Sequence, residues 1–198
     1  MKKGFSRRIF TPGILAGDVW FILKNIPKFV AYRKNPTFDR AFLEKVMSVV
    51  TAVNGCVYCS WFHAKEASAA GISQDEIDDL FQLQFDTEAN DFELPALKYA
   101  QHFAETGRHP DARETAAFVS YYGAETAGDI MLFIRMILLG NLAGNTYDAF
   151  RSRLKGCPAP DSNALFEFGF FLIAFPLMFP ASIMMKRQHR NKLKADQQ

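Results

Sequence analysis

The chain has 198 residues, 49% of them apolar, and its 20 phenylalanines against 12 glycines and 9 prolines describe a globular or membrane-associated protein and exclude a disordered one. Three cysteines are too few and too uneven for a disulfide-scaffolded secreted domain, so the expected compartment is the cytoplasm, where paired cysteines more often serve metal binding or catalysis than architecture. The net charge of +2 resolves into a +4 segment over residues 1–10, a +4 segment over 186–198 and a −6 body between them, a poor surface for nucleic acid but one whose basic ends suit an anionic membrane.

The basic start holds Lys2, Lys3, Arg7 and Arg8, but Asp18 and Lys24 interrupt the next stretch, and no secretory signal is expected. Apolar spacing predicts a helix over 13–34, interrupted by Pro27. A second helix over 38–53 is stopped by Asn54-Gly55, and a third over 56–70 is closed by Gly71. Ser73 to Glu76 reads as a capping box opening a short fourth helix. Pro95 and Pro110 are placed in the first turns of helices over 94–106 and 110–122. A long helix is expected over 124–151, with Gly140 and Gly144 spaced for close packing. No stretch sustains period-two alternation, so the fold class is all-α.

A single helical domain is expected over 1–163, and a C-terminal apolar helix with a basic tail over 164–198. Residues 168–185 run for 18 positions without a charge, the lower limit for crossing a bilayer. Pro176 and Pro180 weigh against a straight span. A membrane helix, an interfacial anchor and an arm over a neighbouring subunit all remain open, because so large an apolar surface seldom stays bare. Deleting this segment is expected to release a soluble, still active core.

The chemistry concentrates in NGCVYCSWFHAKEASAAG, residues 54–71. On a helix, Cys56, Cys59, His63, Ala67 and Ala70 share a face, and Cys56 falls at the helix N-terminus, where unpaired N–H groups favour a thiolate. The preceding helix is apolar almost all round, which predicts burial, except for a seam of Glu44, Ser48 and Thr51. A buried carboxylate is costly unless paired or protonated. A turn through Asn54-Gly55 would set that seam against the cysteine face, gathering a carboxylate, an imidazole and two thiols for acid–base chemistry at sulfur.

A zinc site is the alternative, but Cys56, Cys59 and His63 supply only three ligands, with no second CxxC or paired histidines; His102 and His109 read as ordinary helix-end or surface residues. A purely structural disulfide would close too short a loop to constrain the unfolded chain. Cys157 reads as an incidental thiol, Trp61 and Phe62 as core or interface, and Glu125, Asp129 and Arg135 as polar positions on a packed helix. No glycine-rich phosphate loop, nucleophile elbow or HExxH motif occurs.

Glu44, eleven residues, Cys56-Val-Tyr-Cys59, three residues, His63: this combination in an all-helical chain resembles the carboxymuconolactone decarboxylase family, and within it the alkylhydroperoxidase D branch. GNLAGNTYDAF at 140–150 adds to the likeness, which covers about residues 38–150. The resemblance implies a homo-oligomer, trimeric or hexameric, and a thiol peroxidase that reduces a hydroperoxide without cofactor or metal and is recycled by a thiol or dithiol donor. It implies that Cys59 attacks the peroxide, that His63 and Glu44 activate it, and that Cys56 resolves the intermediate as a disulfide. Where the branch has a histidine directly before the second cysteine, this chain has Tyr58, a poor base at neutral pH, so the relay would run through water or rest on His63. The helix N-terminus by itself favours Cys56 as the thiolate; the resemblance favours Cys59. Decarboxylase members lack the CxxC, which argues against lactone decarboxylation. The rival reading is a non-enzymatic helical scaffold, oligomeric or membrane-attached, with the motif a metal site or relic.

Overall fold

A computed structural model describes residues 4–34, 36–85, 89–160 and 162–195. These form eight helices: α1 (Pro12–Lys34), α2 (Arg40–Asn54), α3 (Val57–Ala69), α4 (Gln74–Gln82), α5 (Leu94–Glu105), α6 (Ala112–Tyr122), α7 (Ala124–Arg153) and α8 (Ala164–Ala195). No strand occurs among the described residues, and the fold is all-α with an apolar C-terminal helix, as the periodicity predicts.

The termini explain the boundaries. Asp39 caps α2 by accepting from Phe42 N–H at 2.7 Å, and Ser73 caps α4 by accepting from Glu76 N–H at 3.2 Å. Pro95 stands in the first turn of α5, as expected. Pro110 does not do the same for α6: Asp111 is the cap, and the proline lies outside the helix. Nor does Pro27 interrupt α1, or Pro176 and Pro180 interrupt α8. A proline removes one backbone hydrogen bond without leaving helical φ, and all three sit on exposed stretches where neighbouring packing does not amplify the defect.

At the centre lies α2, with Val46, Val49 and Val50 fully buried against Leu97 and Ala100 of α5 and Ile130 and Ile134 of α7. Both α7 and α8 are long and apolar enough to cross a membrane, but their burial separates them. The most apolar window of α7 is 56% buried, a core helix; that of α8 is 6% buried.

Two buried acids fasten the outer helices. Asp18 of α1 receives both terminal nitrogens of Arg108 and lies 3.7 Å from Arg135. Glu167 of α8 is fully buried and accepts from Arg153 Nε at 2.7 Å. Further along, Phe171 stacks on Tyr147 of α7 at 4.8 Å, and Trp61 Nε1 donates to Gln188. Thus α8 lies along α7 and α3 rather than standing apart.

Candidate redox site

The turn between α2 and α3 builds the site. Gly55 adopts φ 65°, a left-handed conformation that glycine reaches without steric cost, and its N–H closes α2 on Thr51 O. The chain reverses, and α3 runs back along α2. Cys56 becomes the N-cap of α3, its Sγ accepting from Cys59 N–H at 3.3 Å.

Cys56 and Cys59 are joined as a disulfide, with Cα atoms 5.3 Å apart. The two residues differ in burial: Cys56 is fully buried, Cys59 only partly so. On the same helix, one turn after Cys59, His63 Nδ1 lies 2.7 Å from Glu44 Oε2, and both side chains are buried. The α2 seam therefore meets α3 as its spacing suggests. Glu44 engages His63, while Thr51 Oγ1 donates to Asn141 Oδ1 of α7 at 3.1 Å. Ser48 Oγ, between them, has no hydrogen-bond partner within the described protein.

Tyr58 points elsewhere. Its hydroxyl donates to Asp148 Oδ1 at 2.7 Å and accepts from Arg151 Nη1 at 2.9 Å. Burial, reinforced by the hydrogen bond to Asp148, pushes its pKa well up, against the opposing pull of Arg151. The phenol therefore holds its proton throughout the neutral range. Asp148 is also bound by Arg7 Nη2 at 2.9 Å, and Asn145 Nδ2 donates to Asn54 O at 2.9 Å. Those contacts tie the N-terminal arm, the Asn54-Gly55 turn and the cysteine helix to α7.

Asn141, Asn145 and Asp148 lie inside the GNLAGNTYDAF stretch, but the motif assigns no role to them or to Arg151. Their signal is their spacing, i, i+4, i+7 and i+10, a polar stripe in an apolar helix of the same kind that marks Glu44, Ser48 and Thr51. Between them sits Gly144, against the disulfide: a Cβ there would fall 2.6 Å from Cys56 Sγ and 3.3 Å from Tyr58 Cδ2. Glycine in mid-helix costs about 1 kcal/mol relative to alanine, so a Gly144→Ala exchange on an open face would stabilise. Here the added methyl meets a buried sulfur fixed at a helix cap, and overpacking of this kind costs about 1–3 kcal/mol. Thermal unfolding should show a lower Tm for Gly144→Ala; an unchanged or higher Tm would mean that α3 yields freely.

The far side of the cluster is apolar. Phe171, Ala174, Met178 and Met185 of α8 pack against Cys56, Tyr58 and Tyr147, with Cys59 at its edge. The other singled-out residues lie outside this cluster. Cys157 is a free, partly buried thiol, and His102 Nε2 accepts from Asp111 N–H. Asp129 accepts from Thr37, and Arg135 stacks over Phe21 at 3.7 Å. Phe62 is exposed at the surface of α3. Among the described residues, no three His, Cys, Asp or Glu side chains gather in a group that could hold a metal ion.

Compared with known proteins, residues 27–102 fit the model of the carboxymuconolactone decarboxylase family. No curated protein and no solved structure matches the chain significantly. The matched segment begins inside α1, ends inside α5, and contains Glu44, Cys56, Tyr58, Cys59 and His63. That segment, less than half of the 198 residues, is where the chain is similar to the carboxymuconolactone decarboxylase family.

Proposed function

We propose that the protein is a thiol oxidoreductase of the alkylhydroperoxidase D kind, which reduces hydroperoxides by cycling Cys56 and Cys59 between dithiol and disulfide. The observation that carries this reading is a disulfide between a fully buried and a partly buried cysteine, beside a buried His–Glu pair. A nucleophile must meet its substrate, and Cys59 is the less buried of the two cysteines. Its thiolate attacks the distal peroxide oxygen, the O–O bond breaks, and the departing alkoxide takes a proton to leave as the alcohol. Cys59 then carries a sulfenic acid. Cys56 attacks that sulfur, forms the disulfide and expels water, and two electrons from a thiol or dithiol donor restore the pair.

In this cycle His63 takes the proton from Cys59, and Glu44, bound at Nδ1, orients the imidazole. Tyr58, which keeps its proton, positions α3 through Asp148 and Arg151 rather than acting as a base. The N-cap position of Cys56 favours it as the thiolate released when the donor attacks Cys59. Cytoplasmic placement and homo-oligomeric assembly belong to the same reading; membrane attachment through 168–185 is proposed independently of it. The exposed apolar side chains of α1, Trp20 and Leu23 among them, and of α8 support contacts of those kinds.

The test is to treat the reduced protein with one equivalent of hydroperoxide, count thiols and map the linkage by peptide mass spectrometry. Loss of two thiols with a Cys56–Cys59 linkage is expected. Linkage chiefly through Cys157, or thiols that survive the peroxide, would reject the enzyme in favour of the scaffold.

A further inference from the structure

The outer side of α8 is apolar and bare. Ile173 is 82% exposed, Leu177 73%, Leu172 56% and Met184 55%. The only acid of α8, Glu167, is fully buried on Arg153, so this side of the helix presents no negative charge. The apolar run ends in Lys186, Arg187 and Arg190, all exposed. Uncharged bulk followed by exposed cations is the chemistry of an interfacial helix on anionic lipid.

The inner side bears on the orientation. Phe171, Ala174, Met178 and Met185 rest on the cysteine cluster, a stretch of about 21 Å at 1.5 Å per residue. A helix held against protein over that stretch is not ringed by lipid there, which favours α8 lying in the plane of a membrane surface over crossing it. A second copy of the chain fits less well. In a self-complementary contact it would offer the same acid-free face, leaving both basic clusters without counter-charge.

The redox pair therefore lies directly beneath the helix that meets the lipid. We propose that α8 seats the protein on an anionic bilayer, and that the oxidant of the Cys56–Cys59 pair is a lipid hydroperoxide carried in that bilayer. The substrate class rests on the thiol-peroxidase reading; the docking surface does not. The electron balance is that of any organic hydroperoxide: the lipid peroxide is reduced to the lipid alcohol, two thiols become one disulfide, and water leaves.

The experiment compares the full chain with Ile173→Glu/Leu177→Glu and with Lys186→Glu/Arg187→Glu. Binding is read by flotation with vesicles of neutral phosphatidylcholine, with or without phosphatidylglycerol. Thiol oxidation is read with phospholipid hydroperoxide in the anionic vesicles and, separately, with hydrogen peroxide in buffer. Wild type should float with anionic vesicles, and each variant should partition about tenfold more weakly. Both variants should lose about tenfold or more of the lipid-peroxide rate while matching wild type with hydrogen peroxide. Wild type that fails to float, or variants that float equally well, would overturn the docking surface. So would variants whose native mass falls, because the face would then be a contact between copies. If wild type floats and reacts with hydrogen peroxide, yet takes lipid peroxide no faster than the variants do, the substrate class is wrong. Indifference to both peroxides would sink the thiol-peroxidase reading alone.

Discussion

Glu44→Gln should slow hydroperoxide-driven oxidation of the dithiol by roughly 10² or more, and His63→Ala by a similar factor. The two side chains meet at 2.7 Å in a buried setting, so neither is a surface pair that water would replace. Glu44 holds Nδ1, so the proposed relay would use Nε2 for the proton of Cys59. Glutamine keeps the shape and a hydrogen bond to the ring but removes the carboxylate from beside the imidazole. The combined variant should be little worse than either alone, since groups that act as one unit fail together. His63→Ala carries a second cost: it strands a buried carboxylate, for which a loss of about 3–5 kcal/mol is the usual scale. Glu44→Gln separates the two effects, and its unfolding midpoint should stay near that of wild type. Single-turnover thiol loss, measured beside thermal unfolding, reads both. Rates within a few-fold of wild type for both variants would remove the pair from the mechanism.

Much of this site was legible because two helices with unlike patterns are joined by an obligatory turn. An almost wholly apolar α2 must be buried, so its few polar residues must find partners, and Asn54-Gly55 allows only a reversal. Those constraints lead to Glu44 beside His63 without any knowledge of α7. The contribution of α7 was less visible. Asn141, Asn145, Asp148 and Arg151 lie about ninety positions from the residues they bind, and a periodic polar stripe does not say which helix it faces. Tyr58 shows the same limit. Its place between the cysteines suggests a relay; the partners that draw its hydroxyl away, Asp148 and Arg151, belong to a distant segment. The prolines misled for a different reason. Sequence patterns treat Pro27, Pro176 and Pro180 as breaks, whereas a helix at the surface can lose one bond and continue.

Removing residues 164–198 should destabilise the remaining domain by several kcal/mol, not release it unharmed. By composition the segment reads as an appendage, hydrophobic and then basic, which is why a clean excision is expected from sequence. The packing argues otherwise. Tyr147 is 1% exposed, and Phe171 is stacked on it, while Phe150 and Phe10 contact Phe168, Phe171 and Phe170. Uncovering two or three aromatic side chains forfeits about 1.5–3 kcal/mol for each one fully exposed. Arg153 does not add a buried-charge penalty, because without α8 it faces water. A loss of about 4 kcal/mol lowers the Tm of a chain this size by about 8–16 °C. The disulfide should respond as well: with its apolar roof gone, the partly buried Cys59 sulfur becomes open to dithiothreitol, and reduction should quicken several-fold. Full-length and truncated proteins are compared in one detergent, by thermal unfolding and by the rate of thiol release. An unchanged Tm together with an unchanged reduction rate would show that α8 neither supports the fold nor shields the pair.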